Sequence, residues 1–279
     1  MPTMTLSPGV DLFYQVDDFT DPWGEAETVF LLHGNAESGE AWRAWIPHLG
    51  RRFRIVRPDM RGFGRSTPMA EEYPWSIDTL VDDFARLAKH LGVASFHLVA
   101  AKIGGTISLK FAAAHPELVK TLTVLGTPPA PQQTLATTVS QWVVQMRAHG
   151  VGAWARESMR ARLGSTASAA MLEYWTRMMG GTNLSTQLGF MRMVPTLDLT
   201  PDLARIGCRT LIVTTTGSGL GTVAETEVWR KLIPQAELLV IDGDSYHVAA
   251  SHADAVAPAV AAFMGKHGSP AASGAGRPS

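Results

Sequence analysis

The segment 96–106, Phe-His-Leu-Val-Ala-Ala-Lys-Ile-Gly-Gly-Thr, decides the fold of this chain. Its first six residues form a mostly apolar run, which is typical of a strand covered on both faces. Ile103, Ile107 and Phe111 then recur at helical spacing directly after the run. The two glycines that follow Ile103 stand where Cβ atoms would crowd a sharp turn. The segment therefore predicts a strand, a tight elbow at Lys102 and a helix.

Short β-branched runs alternate with longer segments of helical period along most of the chain. This alternation predicts βαβ units and a mostly parallel sheet. Ser76 is the predicted N-cap of one helix, and Ser251 with Asp254 predicts a capping box at the start of the last helix. The predicted strands are Thr28–Leu32, Arg54–Arg57, Phe96–Ala101, Thr121–Leu125, Arg209–Thr215 and Leu238–Ile241.

The elbow segment resembles the nucleophile elbow of the α/β-hydrolase family, in which G-x-S-x-G places a reactive side chain on a strained turn. Lys102 stands at the serine position, and Ala100 replaces the first glycine. Three more segments resemble the family in the expected order: 30–35 its first core strand and oxyanion loop, 58–66 its D-x-R-G-x-G-x-S loop, and 240–247 its final strand and catalytic histidine. The resemblance covers about residues 10–264. It implies an α/β-hydrolase fold, with a mostly parallel central sheet flanked by helices.

The composition changes between Pro128 and Thr200. This segment carries seven of the twelve methionines and no evident strand run. It therefore predicts a helical cap, residues 128–200, inserted into a core of residues 1–127 and 201–264. Residues 265–279 are rich in Gly, Ser, Ala and Pro, which predicts a disordered tail.

The overall composition indicates a packed globule that acts on a small molecule. Apolar residues make up 46% and charged residues 18%, and 24 basic against 25 acidic residues give a net charge of −1. This balance provides no basic surface for nucleic acid or an anionic membrane. We therefore expect a small-molecule substrate as the partner, while the oligomeric state is left open.

Cys208 is the single cysteine, so no internal disulfide is possible. The N-terminus lacks the basic and apolar regions of a signal peptide, and no apolar stretch is suited to span a bilayer, so we expect a cytoplasmic protein. No metal-ligand motif occurs. Residues 217–221, Gly-Ser-Gly-Leu-Gly, lack the third glycine of a dinucleotide fingerprint and lie late in the chain. We therefore expect neither a metal nor a cofactor.

Both places where the family carries its catalytic acid lack a carboxylate. Residues 210–224 contain no Asp or Glu, and Ser218 stands at the usual acid position. The alternative position, after the predicted strand Thr121–Leu125, is equally empty. The resemblance implies that His247 is the catalytic histidine, with Ser218 and Tyr246 as possible supporting residues. A serine acyl-enzyme at the elbow is excluded, because the elbow carries an amine.

An amine at the elbow tip is expected to lose part of its charge. Apolar walls, the positive end of the following helix and nearby main-chain N–H groups all lower the pKa of Lys102. His247 is then expected to stay neutral and to exchange a proton with Lys102. The resemblance implies an oxyanion site formed by the N–H groups of Ile103 and of Asn35 or its neighbour.

Three uses of Lys102 follow, in this order. It could act as a general base for hydrolysis or C–C cleavage of a small apolar carbonyl compound. It could instead form a Schiff base with a ketone, or remain charged and clamp a carboxylate. A fourth alternative is a decayed site in which the lysine points outward. If Lys102 clamps a carboxylate, the protein is a catalytically inactive relative that binds a small ligand.

Glu37 is the one carboxylate near the predicted oxyanion loop. We expect a solvated loop residue or a helix N-terminal acid. The alternative is an ion pair with Lys102, which would raise the lysine pKa and weaken the base hypothesis. Asp59, Arg61 and Arg65 are expected to order their loop, and they are given no chemical role.

Overall fold

The computed structural model describes residues 2–268, and it contains one eight-stranded sheet. The strand order is β1-β2-β4-β3-β5-β6-β7-β8. The strands are β1 (Thr3–Ser7), β2 (Val10–Asp17), β3 (Glu27–Leu32), β4 (Phe53–Pro58), β5 (Phe96–Ala101), β6 (Val119–Leu125), β7 (Arg209–Thr215) and β8 (Ala236–Ile241). Strands β3 to β8 pair in parallel, so the mostly parallel sheet predicted from the sequence is confirmed.

Residues 2–268 form ten α-helices. They are α1 (Ile46–Leu49), α2 (Ile77–His90), α3 (Ile103–Ala114), α4 (Pro131–Thr134), α5 (Ala136–Leu163), α6 (Ala169–Gly180), α7 (Leu184–Met193), α8 (Val223–Arg230), α9 (Val248–Ser251) and α10 (Ala253–His267). Ser76 caps α2 as predicted, because its side chain accepts a hydrogen bond from the Thr79 N–H at 3.1 Å. Helix α2 packs beside α3, and α10 packs beside α1.

Strands β1 and β2 were missed by the sequence-based prediction. They form an antiparallel edge, in which β1 pairs with β2 and β2 pairs with β4. Met4 and Leu6 are buried while their neighbours in β1 are exposed. Strand β1 therefore follows an alternation of apolar and polar residues, which differs from the apolar runs that predict the other strands.

The end of the chain differs from the prediction in two respects. Ser251 does not cap α10, because its hydroxyl donates a hydrogen bond to the Ser245 Oγ at 2.7 Å, and His252 precedes the helix without a side-chain cap. Helix α10 also continues through His267, so the disordered tail predicted from residue 265 starts too early. Residues 269–279 of that predicted tail lie outside the described residues.

The segment predicted as a cap contains the four helices α4 to α7. Helix α5 is interrupted at Gly150, whose φ of 81° and ψ of 166° are not helical. The glycine permits this break because it has no Cβ. Among residues 2–268, no helix combines the length and the apolar character needed to cross a bilayer.

Candidate active site

Lys102 lies on a strained turn between β5 and α3. Its φ of 55° and ψ of −125° place a non-glycine residue in the left-handed half of conformational space. A Cβ on Gly104 would approach the His33 carbonyl oxygen to 2.3 Å, and one on Gly105 would approach the Thr127 Oγ1 to 1.9 Å. The elbow therefore requires both glycines, as the sequence predicts.

The amine of Lys102 is buried and paired with Glu37. Its Nζ donates a hydrogen bond to the Glu37 Oε1 at 2.8 Å, and the Gly34 N–H donates to Oε2 of the same carboxylate at 2.8 Å. Lys102 is 4% exposed and Glu37 is 1% exposed. The expectation that Glu37 is a solvated loop residue is therefore wrong. The structure shows the alternative, an ion pair of Glu37 with Lys102.

His247 also approaches Glu37. Its Nε2 lies 3.1 Å from the Glu37 Oε1, although the ring is not aligned for a hydrogen bond. The Nδ1 atom, which the family's acid would hold, has no hydrogen-bond partner among residues 2–268. The Trp175 ring packs edge-on against the imidazole at 4.8 Å between centroids. Lys102 and His247 thus meet at one carboxylate oxygen, which replaces the direct pair expected from the sequence.

Burial and charge set the protonation states of this cluster. Burial lowers the pKa of Lys102 from 10.5 to about 8, although the Glu37 carboxylate opposes the change. Burial would raise the pKa of Glu37, but His247 and Lys102 overcome it and hold the pKa well below 4.5. Burial also lowers the pKa of His247 below 6.5. At neutral pH the cluster is therefore an ammonium, a carboxylate and a neutral imidazole.

A small cavity with mainly apolar walls opens beside Lys102. Its free volume is about 40 Å³, which suffices for a few water molecules. Lys102, Asn35 and Ile103 all line it, and within residues 2–268 the N–H groups of Asn35 and Ile103 donate no hydrogen bond. The other lining residues are Pro128, Leu135, Trp142, Arg162, Met191, Val194, Leu220 and Tyr246. The structure thus brings both predicted oxyanion donors to the cavity of the amine.

The two predicted supporting residues differ in position. Tyr246 lines the cavity, with its ring centroid 5.9 Å from the Lys102 Nζ. Ser218 does not line this cavity, and its Oγ accepts a hydrogen bond from the Leu220 N–H. Within the described part of the chain, Ser218 forms no hydrogen bond with His247. A supporting role for Ser218 therefore stays a prediction.

The residues of the predicted oxyanion and D-x-R-G-x-G-x-S loops have the expected structural roles. The Asp59 carboxylate accepts hydrogen bonds from two main-chain N–H groups, one of which belongs to Arg65, at 2.6 and 2.7 Å. Arg61 forms a buried pair with Asp83 at 2.6 Å. His33 accepts a hydrogen bond from a main-chain N–H at 2.9 Å, and it contacts a carbonyl oxygen at 2.7 Å. These groups order the loops around the elbow.

Sequence reasoning missed Arg162, which comes from α5 in the segment predicted as a cap. It lies in the last turn of α5 and is 3% exposed. Its carbonyl oxygen accepts hydrogen bonds from the His247 N–H at 2.9 Å and from the Ser245 hydroxyl at 2.8 Å. Nothing in the sequence distinguishes Arg162 from Arg156 and Arg160 on the same helix, both of which are exposed.

Comparisons with known proteins agree with this architecture. The sequence profile described as "alpha/beta hydrolase fold" matches residues 27–251. The chain belongs to the α/β-hydrolase fold family. It is 24% identical to a cis-3-alkyl-4-alkyloxetan-2-one decarboxylase from Xanthomonas campestris pv. campestris over 300 aligned positions, which cover 94% of each chain.

Solved structures of this family superpose over almost the whole chain. The enol-lactonase from Burkholderia xenovorans LB400 has a TM-score of 0.83 at 21% identity, covering 94% of this chain and 99% of its own. An esterase from Exiguobacterium antarcticum has a TM-score of 0.84 at 16% identity, covering 94% and 98%. At these identities the likeness shows a shared fold, and the chemistry must be argued from the cavity itself.

Proposed function

We propose that this protein is a cofactor-independent enzyme that hydrolyses, or cleaves a C–C bond in, a small and largely apolar carbonyl compound. Lys102 is the general base in this proposal. The observation that carries it is the position of the amine, which is buried at the wall of the cavity that Asn35 and Ile103 also line, where burial lowers its pKa to about 8 although Glu37 opposes the change. A base held by a carboxylate reproduces the relation of histidine to aspartate in a catalytic triad.

The proposed reaction begins with the neutral amine of Lys102. It takes a proton from a water molecule while the water oxygen bonds to the carbonyl carbon, and the resulting oxyanion accepts hydrogen bonds from the N–H groups of Asn35 and Ile103. The Lys102 ammonium then returns the proton to the leaving oxygen, or to the leaving carbon in C–C cleavage. Glu37 favours the reaction because it stabilises the ammonium that forms.

His247 is a positioning residue in this scheme. Its Nε2 lies against the carboxylate oxygen that binds the amine, and the lowered pKa of the imidazole keeps it neutral. It therefore excludes water from the ion pair without adding a second cation. Glu37 lies between His247 and Lys102 as a shared partner, because both contact the same oxygen.

The second candidate is a catalytically inactive relative that binds a small ligand. The same ion pair favours it, because Glu37 opposes loss of the Lys102 charge. The two candidates differ in whether the amine titrates during turnover, and an experiment can separate them on that basis.

The test is turnover of ester, lactone and β-diketone panels by the wild type, Lys102→Ala and the matched control Lys110→Ala. Lys110 lies on α3, the helix that follows Lys102, and it pairs with Asp202 at 3.1 Å, outside the cavity. We expect kcat/KM to rise with pH and to level off above about pH 8, because the base must be neutral. Lys102→Ala should lose about 100-fold or more, and Lys110→Ala should keep both rate and profile.

Sodium borohydride trapping with the same substrates tests the Schiff-base alternative. The base mechanism forms no covalent bond to the amine, so no reduced adduct should appear at Lys102. An adduct at that residue would assign a Schiff base instead. Absence of turnover on every panel, together with ligand binding, would favour the inactive relative.

A further inference from the structure

Arg162 is a buried cation without an anionic partner. Its side chain lines the same cavity as Lys102, and no carboxylate among residues 2–268 lies within ion-pair distance of it. Its Nε donates to the Ser158 Oγ at 3.0 Å, whereas Nη2 is buried without any hydrogen-bond partner. A buried, unpaired guanidinium N–H is costly unless a ligand satisfies it.

Aromatic rings surround the guanidinium but do not provide the hydrogen-bond acceptor that Nη2 lacks. The Arg162 Cζ lies 4.7 Å from the centroid of Trp154, and 5.8 Å from those of Trp142 and Tyr246. Such rings stabilise a cation over their faces and shield it from water. They provide no in-plane acceptor for its N–H groups, so Nη2 remains without an acceptor among the described residues.

The charge balance of the site indicates the same ligand. Lys102 and Glu37 cancel each other, and the pKa of His247 is lowered, so the imidazole is neutral. Arg162 therefore leaves the cavity with one net positive charge in largely apolar walls. A monoanion bound there would bring the net charge to zero, whereas a neutral ligand would leave it uncompensated.

We infer that the ligand of this cavity is a monocarboxylate, bound through its carboxylate to the guanidinium of Arg162. Binding of a monocarboxylate does not depend on the proposed function. The second part of the inference rests on that function: the substrate would be a small oxo acid, or an acid that carries an ester or lactone. Its carboxylate lies at Arg162 and its reacting carbonyl lies at Lys102. The cap residue thereby selects the substrate, and the core residue acts on it.

The test measures binding of acetate, butyrate and hexanoate by calorimetry at pH 7, each against the corresponding neutral amide. We expect the carboxylates to bind the wild type about tenfold or more tightly than the amides, as a charge-assisted hydrogen bond requires. Arg162→Met should abolish this preference and Arg162→Lys should retain part of it. Arg156→Met is the matched control, because Arg156 lies on the same helix with a side chain that is 71% exposed.

The double variant Lys102→Met/Glu37→Gln separates this inference from the proposed function. It removes the base and its counter-ion together but leaves the charge of Arg162, so the carboxylate preference should persist while turnover is lost. Loss of the preference in this variant would place the anion at Lys102 and overturn the inference. Equal binding of butyrate and butyramide by the wild type would also overturn it.

Arg162→Met should remain folded, which keeps the experiment decisive. Replacing a buried unpaired cation with an apolar side chain of similar length is neutral or stabilising. The carbonyl oxygen that accepts from the His247 N–H belongs to the main chain and is kept. Thermal denaturation without ligand should therefore show an unchanged or higher Tm, and butyrate should no longer raise it.

Discussion

The pKa of Lys102 should be visible as a pH dependence of stability. We compare urea unfolding of the wild type with that of Lys102→Met/Glu37→Gln, which lacks both charges of the pair. Between a folded-state pKa of about 8 and the ordinary 10.5, the unfolded chain binds more protons than the folded chain. The stability of the wild type relative to the variant therefore rises with pH across this window.

The size of this effect follows from the same two values. At 1.36 kcal/mol per pKa unit, the full gain is about 3 kcal/mol, of which about 2 kcal/mol falls between pH 7 and pH 10. Glu37 does not titrate in this range, because its pKa is well below 4.5. The pair Lys110→Met/Asp202→Asn corrects for effects of alkaline pH on the whole chain. A difference that stays constant from pH 7 to pH 10 would refute the lowered pKa.

Three further results are expected. Glu37→Gln alone should lower the free energy of unfolding by about 3–5 kcal/mol, because it leaves a buried lysine unpaired, and adding Lys102→Met should recover most of this loss in urea denaturation. Lys102→Ser should not give strong p-nitrophenyl ester turnover, because the His247 Nε2 faces Glu37 and its Nδ1 has no acid partner among residues 2–268. Appreciable turnover would contradict this geometry. Gly104→Ala should destabilise by about 1–3 kcal/mol or prevent folding, because its Cβ would lie 2.3 Å from a main-chain oxygen, whereas Gly152→Ala, with open space around its Cβ, should show no loss in thermal denaturation.

The sequence predicted the parts of the fold that depend on local patterns. Strands β3 to β7 are largely buried, and the elbow carries the glycines that its close contacts require. The edge strand β1 alternates exposed polar and buried apolar residues, which a search for apolar runs does not detect. The boundaries of the last helix were misplaced because Ser251 bonds to Ser245 instead of capping it.

The chemistry of the site depends on contacts between distant segments, and sequence reasoning predicted it less well. Glu37 and Lys102 are 65 positions apart, and their pairing depends on the turn that buries the carboxylate. Arg162 belongs to a helix with other arginines of similar surroundings in the sequence. Only packing distinguishes Arg162, which lines the cavity, from the other arginines of this helix. The sequence therefore predicted the elbow with Lys102 at its tip, but it did not predict which side chains contact Lys102.

The hydrogen bonds from His247 and Ser245 to the Arg162 carbonyl join the cap to the loop that holds the histidine. This end of α5 therefore cannot move away from the core without releasing that loop. Gly150, near the middle of the same helix, has backbone angles that depart from helical geometry, and the segment before it contacts the core through the ion pair of Arg147 with Glu71. Salt should accordingly weaken the attachment of the half before Gly150, which depends on a partly exposed ion pair, and leave the main-chain hydrogen bonds at the arginine end in place.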